Sequence, residues 1–118
     1  MDITDRDLIA AALASFEAKC GPVQALANNA GWDTPRDFLD TDRALWDKVI
    51  QINLYGPLNM HHVVVRGMSV HGFGRVVNVA SDAGRVGSTG EAVYAACKGG
   101  IIAFTETLAR ELARKASR

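Results

Sequence analysis

Net charge, cysteine and long apolar runs are all scarce in this chain of 118 residues. Lys and Arg total 13 and Asp and Glu total 13, so the formal net charge is zero. A neutral chain offers no general electrostatic attraction for nucleic acid or for an anionic membrane surface, so we expect neither partner. The longest apolar runs are far too short to cross a bilayer. We therefore expect a soluble globular protein.

The few cysteines and histidines indicate neither a disulfide framework nor a metal site. Cys20 and Cys97 are too few for such a framework and do not have a ligand spacing, so we expect two reduced thiols. His61, His62 and His71 do not combine with acidic residues or cysteines at a metal spacing, and we expect surface or core histidines. Reduced thiols and an acidic, polar amino terminus, unlike a signal peptide, predict a cytoplasmic protein without a metal.

Hydrophobic periodicity and turn residues predict the order helix, strand, helix, strand, helix. The first helix has a capping-box-like start in Thr4 and Asp7. The two apolar runs are typical of strands that are buried on both faces of a parallel sheet. The predicted elements are helices from Thr4 to the turn Gly21–Pro22, from Thr41 to about Ser69 and from Val93 to about Arg114, and strands at 23–27 and 75–80.

Two buried strands joined by a helix predict a right-handed parallel crossover, and therefore an α/β fold. Two strands are too few for such a sheet, because each keeps an unpaired edge and its apolar residues lack a covering layer. We interpret the chain as a piece of a larger parallel-sheet domain. Inside the last helix, Gly99–Gly100 indicates that another backbone passes close, as in a tight helix–helix contact.

Small and polar residues follow the first strand and interrupt the long helix. Asn28–Asn29–Ala30–Gly31 permits close backbone approach by a ligand, although such a sequence in isolation is more often a turn. Asn53 lies within an apolar stripe, near a Gly56–Pro57 pair that should distort the helix. A buried amide beside a distortion suits an ordered water or a ligand, and equally an Asn that bonds its own helix.

Ser81, Tyr94 and Lys98 can meet at one edge of the predicted sheet. Tyr94 and Lys98 are four positions apart and share a helix face, and Ser81 ends the second strand. An ammonium near the phenol lowers the tyrosine pKa, which suits proton exchange with an alcohol or carbonyl oxygen. None of these groups accepts a hydride, so a redox reaction here requires a nicotinamide cofactor. The Tyr/Lys pair alone is weak, because most such pairs are exposed helix neighbours.

The ordered combination of these motifs resembles the short-chain dehydrogenase/reductase family across essentially the whole chain. The separation of Ser81 from Tyr94, thirteen positions, is the family's usual one. The resemblance implies one partial NAD(P)-binding domain at 1–118, the central-to-carboxyl-terminal half of a Rossmann-like doubly wound parallel sheet. The motifs that carry the resemblance are Asn28–Gly31, Ile52–Leu54, Arg75–Ser81 and Tyr94–Gly100.

The same resemblance implies an oxidoreductase that interconverts a secondary alcohol and a ketone with NAD or NADP. Tyr94 would be the general acid/base, Lys98 would lower its pKa and bind the nicotinamide ribose, and Ser81 would orient the substrate oxygen. Asn53 would hold a water in the proton relay to Lys98. The implied cofactor-binding residues are Asp2, Ile3, Asn29, Ala30, Gly31, Tyr94 and Lys98.

The stretch 80–100, with Met60–His61–His62, looks most like bacterial 2-hydroxycyclohexanecarboxyl-CoA dehydrogenases, with acyl-carrier-protein and acyl-CoA reductases close to them. This similarity implies a small-molecule substrate of the hydroxyacyl-CoA type. The family's two long helices imply a homo-oligomer, a dimer or tetramer.

The most important departure from the family pattern concerns the pyrophosphate of the cofactor. The family's Gly-rich pyrophosphate loop has no counterpart, since Gly84, Gly87 and Gly90 do not follow a first strand. We therefore expect no cofactor binding and no activity from these residues alone. A catalytically inactive fragment that serves as an oligomerisation module, and an epimerase or dehydratase sharing the Tyr/Lys pair, stay open as alternatives.

Overall fold

The computed structural model describes residues 2–79, 81, 84 and 87–116, with the side chains of the last helix described to residue 113. The predicted order of helices and strands is confirmed. The elements are α1 (Arg6–Cys20), β1 (Ala25–Asn28), a 3-10 turn (Phe38–Asp40), α2 (Arg43–Ile50), a π-helical segment (Gln51–Tyr55), α3 (Gly56–His71), β2 (Arg75–Asn78) and α4 (Ala92–Ala116).

The strands β1 and β2 are parallel neighbours, with Ala25 opposite Arg75 and Asn28 opposite Asn78. Both strands are shorter than predicted; β1 begins two residues later than expected, and Ala80 lies outside the described residues. The expectation of burial on both faces is wrong for this chain. Exposed and half-buried residues alternate along each strand, because α3 covers one face and no described element covers the other.

The helix caps differ from the predicted ones by one residue. Asp5, not Thr4, caps α1, since its carboxylate accepts two backbone N–H groups of the first turn. Thr4 instead donates its hydroxyl and its N–H to Asp2 Oδ1, which leaves it outside the helix. The long helix likewise begins after Asp42 rather than Thr41. An aspartate carboxylate reaches the first-turn donors as well as a threonine hydroxyl does, and adjacent candidates look alike in sequence.

The long helix is distorted near Gly56 and Pro57, as predicted, and the distortion is a π-helical segment at 51–55. The Gly56 N–H donates to the carbonyl of Gln51, five residues earlier. Pro57 has no N–H, so it cannot make the ordinary helical bond to the carbonyl of Asn53. The segment therefore changes the backbone geometry at Asn53.

One glycine follows α1, and two others allow the backbone after β2 to approach α4 closely. Gly21, with φ +79°, follows α1 as predicted. At Gly99 a Cβ would lie 2.8 Å from the carbonyl oxygen of Gly84, so the predicted close approach is confirmed there. The approaching backbone is that of Gly84, which lies between β2 and α4 and has helical geometry. A Cβ placed on Gly100 would lie 3.8 Å from Leu54 Cδ1, which is an ordinary contact distance.

The core lies between α3, the sheet and the flanking helices α1 and α4. Val64, Val65 and Met68 of α3 are its buried centre. The apolar side chains of α1 are only partly buried, since Ile9 is 1% exposed and Phe16 is 52% exposed. None of the described helices is long and apolar enough to cross a bilayer. Half-buried apolar residues that pack against the core are Leu13, Val23, Leu26, Met60, Val76 and Leu112.

Candidate functional site

Three predicted site residues meet beyond the end of β1. A Cβ placed on Gly31 would lie 3.0 Å from Asn53 Oδ1 and 3.5 Å from Lys98 Nζ. The two polar atoms therefore flank one backbone position, and only glycine leaves the space between them open. The loop after β1, the π-helical segment and α4 each contribute one member of this group.

Asn53 is fully buried, and its amide joins the long helix to the loop after β1. Its Nδ2 donates to the Trp32 carbonyl at 2.6 Å and to the Val49 carbonyl at 2.9 Å. Its Oδ1 accepts the Trp32 N–H at 3.1 Å. These bonds use both amide protons and one of the two oxygen lone pairs. Asn53 therefore bonds its own helix, which was one of the two alternatives raised from the sequence. It also fixes the loop that carries Gly31.

Lys98 is the buried cation of the site, with 5% of its surface exposed. Its Nζ donates to the Val79 carbonyl at 3.3 Å, just beyond β2. Burial lowers the pKa of the ammonium, because desolvation disfavours the charged form, and the adjacent Cys97 opposes that shift weakly. Burial raises the pKa of the Cys97 thiol in turn. An ammonium has three donors, so Lys98 keeps donors beyond the one on Val79.

Tyr94 lies one helical turn before Lys98 and is half-buried. The Lys98 Nζ is 5.6 Å from the centroid of the Tyr94 ring, so the predicted shared helix face is confirmed. Ser81, also half-buried, follows β2, and its carbonyl accepts the Gly84 N–H at 2.9 Å. Because Gly84 packs against Gly99, this short turn anchors Ser81 close to α4.

The remaining predicted cofactor residues lie in two places. Asn29 and Ala30 are exposed directly after β1, beside Gly31. Asp2 is exposed and its carboxylate accepts from Thr4, which lowers its pKa. Ile3 is half-buried against the long helix, where its carbonyl accepts from Asn59 Nδ2 at 3.1 Å. None of the contacts described for Asp2 or Ile3 links them to Tyr94 or Lys98.

Two acidic residues that the sequence did not single out lie beside Tyr94. Asp33 and Glu91 line one small cavity of about 20 Å³ together with Thr34, Trp46 and Tyr94. The loops that carry the two carboxyls are far apart in sequence, and no spacing rule pairs them. Burial and the neighbouring Glu91 raise the pKa of Asp33.

The histidines lie at core and surface positions, as expected. His61 is buried; its Nδ1 donates to the Pro57 carbonyl at 2.6 Å and its ring packs edge-on against Phe104. His62 is exposed and lies near Arg66. Among the described residues, no group of three His, Cys, Asp or Glu side chains is arranged to hold a metal ion.

The residues at the end of β1 fit one end of a nicotinamide dinucleotide. The open position at Gly31 admits a ligand that any side chain there would obstruct. The Lys98 ammonium beside it is a hydrogen-bond donor suited to ribose hydroxyls. The exposed backbone and amide of Asn29 offer further donors and acceptors at the same edge.

A family model described as short chain dehydrogenase matches residues 1–116. The chain is 41% identical over 114 residues to the nodulation protein G of Azospirillum brasilense, covering 97% of this chain and 46% of that protein. It is 40% identical to an acetoacetyl-CoA reductase of Shinella zoogloeoides, covering 97% and 47% respectively. A 3-oxoacyl-(acyl-carrier-protein) reductase of Vibrio harveyi is 36% identical, with 98% and 47% covered.

Solved structures agree with the sequence comparisons. The crystal structure of an NAD⁺-bound xylitol dehydrogenase superposes with a TM-score of 0.92 at 34% identity. The match covers 97% of this chain and 44% of the xylitol dehydrogenase chain. The chain thus spans about half the length of the curated relatives it matches.

Proposed function

Because the chain belongs to the short-chain dehydrogenase family, we propose that it forms the proton-handling half of an NAD(P)-dependent oxidoreductase site. That site interconverts a secondary alcohol and a ketone. The observation that carries the proposal is the buried Lys98 ammonium, held beside the Tyr94 ring and against the open position at Gly31. We propose that residues 1–118 are one partial Rossmann-like domain, which in the natural polypeptide operates with the rest of the family fold.

Tyr94 carries the proton step in this proposal. In reduction its phenol O–H bond breaks and the proton goes to the substrate oxygen, which becomes the alcohol. The phenolate left behind is stabilised by the Lys98 ammonium on the same helix face, and solvent returns the proton. Oxidation runs the same transfer in reverse. Ser81 donates a hydrogen bond that orients the substrate oxygen.

Asn53 supports this step by position. Its amide fixes the loop after β1, and its backbone carbonyl receives no bond from Pro57. A water at this carbonyl, or at the remaining lone pair of Oδ1, would connect Lys98 to solvent. We keep the predicted role of Asn53 as a water-holding residue on this ground.

Asn29, Ala30, Gly31 and Lys98 would hold the nicotinamide end of NAD or NADP in this site. The bound cofactor supplies the hydride acceptor and donor, which no side chain of the chain can be. Asp2 and Ile3 stay predicted contacts of the adenine end. The two free thiols support a reducing compartment, and we infer the cytoplasm from them.

The two tyrosines of the chain provide a matched test. Tyr94→Phe removes the phenol and should lower kcat by about 10² to 10⁴, the range of general acid–base catalysis. Tyr55→Phe should leave kcat unchanged, because Tyr55 is 51% exposed and is not part of the site. Both variants should be made in the natural polypeptide that carries this chain and assayed by NAD(P)H absorbance. Equal turnover by Tyr94→Phe and the parent would refute the mechanism.

The substrate class is the finer part of the proposal. We propose a hydroxyacyl thioester, because two of the relatives described above are named for acyl-CoA or acyl-carrier-protein substrates. Because one similar solved structure is a xylitol dehydrogenase, polyols are the substrate class to compare with hydroxyacyl thioesters. A panel with 3-oxoacyl-CoA, 2-hydroxycyclohexanecarboxyl-CoA and xylitol, with product analysis, separates these classes. It also separates a dehydrogenase from an epimerase or dehydratase.

The uncovered apolar surface favours a second candidate, an association module without activity. Val77 is 60% exposed on the open sheet face, and Val70 is 79% exposed at the end of α3. Such residues suit contact with further protein, including the homo-oligomer that the family resemblance implies. Sedimentation of the 118-residue chain together with NADH titration tests this candidate. Micromolar NADH binding by this chain would contradict it.

A further inference from the structure

The surroundings of the Asp33 carboxyl disfavour its ionised form. Its Oδ1 accepts the Thr34 N–H at 2.8 Å. Its Oδ2 is buried, and no hydrogen-bond donor among the described residues contacts it. An ionised oxygen without solvent or donor is strongly disfavoured, so this atom requires a proton or a partner that brings one.

The side chain facing Asp33 is another carboxyl, that of Glu91. The two residues line the same small cavity, and Glu91 is near enough to raise the pKa of Asp33. Ser88 Oγ donates to Glu91 Oε1 at 2.8 Å, which orients this carboxyl and engages one of its oxygens. Two ionised carboxylates repel each other, whereas a single proton between them makes a strong hydrogen bond.

We propose that Asp33 and Glu91 share one proton, and that this hydrogen bond positions the start of α4, and with it Tyr94, against the loop after β1. The proton supplies the donor that Asp33 Oδ2 lacks. Glu91 immediately precedes α4, and Tyr94 lies three residues later, so a bond at Glu91 restrains the turn that carries the phenol. Asp33 and Glu91 are positioning residues in this assignment.

The backbone supports the same contact between the two loops. The Arg36 N–H donates to the Gly90 carbonyl at 2.8 Å, beside the carboxyl pair. The Glu91 carbonyl accepts the Ala95 N–H at 2.7 Å, which begins the hydrogen-bond ladder of α4. The carboxyl pair and the Arg36–Gly90 bond therefore join the loops at neighbouring points.

Among the described residues, only Arg36, from the loop, could bring a cation to the cavity in place of the proton. The other described titratable group that lines the cavity is Tyr94, from α4. Arg36 is exposed, so water screens its charge, and the part of α2 lining the cavity supplies only apolar and indole side chains. Burial first, and then the Glu91 bond and charge, raise the pKa of Asp33, while the Thr34 N–H opposes them.

The pH dependence follows from that direction. Because the folded state holds the Asp33 proton more tightly than the unfolded chain does, the contact is strongest at acidic pH. It weakens as pH rises from the ordinary aspartate value through the raised one, when the second carboxylate forms. Each unit of elevation corresponds to a tenfold preference for the protonated pair. The effect on Tyr94 rests on the proposed function, but the shared proton does not.

The test is a carboxyl titration by ¹³C NMR in the natural polypeptide that carries this chain. We expect Asp33 to titrate above its ordinary pKa in the parent. In Glu91→Gln it should titrate lower, because the amide donates to the ionised form. Ordinary titration of Asp33 in the parent, or an unchanged pKa in Glu91→Gln, overturns the proposal.

Hydrogen exchange of the Arg36 N–H gives the positioning readout. Its protection factor should fall about tenfold per unit of pKa elevation as the pair ionises. In Asp33→Asn, whose amide donates permanently to Glu91, protection should be independent of pH in that range. The same fall in Asp33→Asn contradicts the positioning role. If Asp33 has a raised pKa but the protein has no oxidoreductase activity, the proposed function is refuted and the shared proton is still supported.

Discussion

Adding one methyl group should stabilise the protein at Gly100 but not at Gly99, although the two glycines are adjacent in α4. At Gly99 the new Cβ would lie 2.8 Å from the carbonyl oxygen of Gly84, well inside the optimal separation of about 3.5 Å. The obstructing atom is backbone, so no side-chain rotation relieves the contact. At Gly100 the nearest atom is Leu54 Cδ1 at 3.8 Å, an ordinary contact.

Two effects set the magnitude. Alanine in place of glycine inside a helix favours folding by about 1 kcal/mol at either position. Overpacking at Gly99 opposes that gain by about 1 to 3 kcal/mol, since the Gly84 backbone must move. Gly100→Ala should therefore stabilise the protein by up to about 1 kcal/mol, and Gly99→Ala should fall below it by about 1 to 3 kcal/mol.

Urea unfolding followed by circular dichroism at 222 nm measures both variants against the parent. The displaced turn also carries Ser81, whose carbonyl is bonded to Gly84, so Gly99→Ala should lose turnover beyond its loss of stability. Gly84→Ala is the reciprocal variant, because its Cβ would lie 2.6 Å from the Gly99 nitrogen. Equal stabilisation by Gly99→Ala and Gly100→Ala would refute the packing argument.

Three further predictions each test a local interaction by urea unfolding. Asn53→Ala leaves buried partners unpaired and should lower the free energy of unfolding by about 3 kcal/mol. Asn59→Ala loses one half-buried bond to Ile3 and should lower it by about 1 kcal/mol. Equal losses of stability in the two variants would contradict the bonding of Asn53. Asp5→Ala should cost about 1 kcal/mol as the loss of a helix cap, and Thr4→Ala should cost less; the reverse order would return the cap to Thr4. Lys98 has a lowered pKa in the folded state, so the unfolded chain binds its proton more tightly, and the free energy of unfolding should rise as pH increases from that lowered value to about 10. Lys98→Met should abolish that rise and the activity together, and an unchanged slope would argue against a buried ammonium.

The order of elements could be predicted from sequence because it depends on local pattern. The parallel pairing of the strands followed from that order, because a helix that joins two buried strands makes a parallel crossover. The glycine at residue 21, the apolar runs and the Gly56–Pro57 pair each act within a few residues. The caps at Asp5 and Asp42 were missed by one residue, since a neighbouring threonine is an equally good local candidate.

In the candidate site, too, contacts within one helix could be predicted from sequence and contacts between separate elements could not. Tyr94 and Lys98 could be paired from sequence, because four positions on a helix place two side chains on one face whatever surrounds them. The meeting of Asn53, Gly31 and Lys98 could be expected only by resemblance to a family, since three separate elements bring them together.

By itself the sequence determined the helix periodicities, the distortion at Pro57 and the shared face of Tyr94 and Lys98, all of which arise from contacts between near neighbours in the chain. Only the tertiary structure decided that Lys98 is buried, that the close neighbour of Gly99 is Gly84, and that Asp33 and Glu91 line one cavity. Burial and the juxtaposition of distant loops depend on how whole elements pack. Desolvation and close contact, which set the charge states at this site, therefore cannot be read from local pattern.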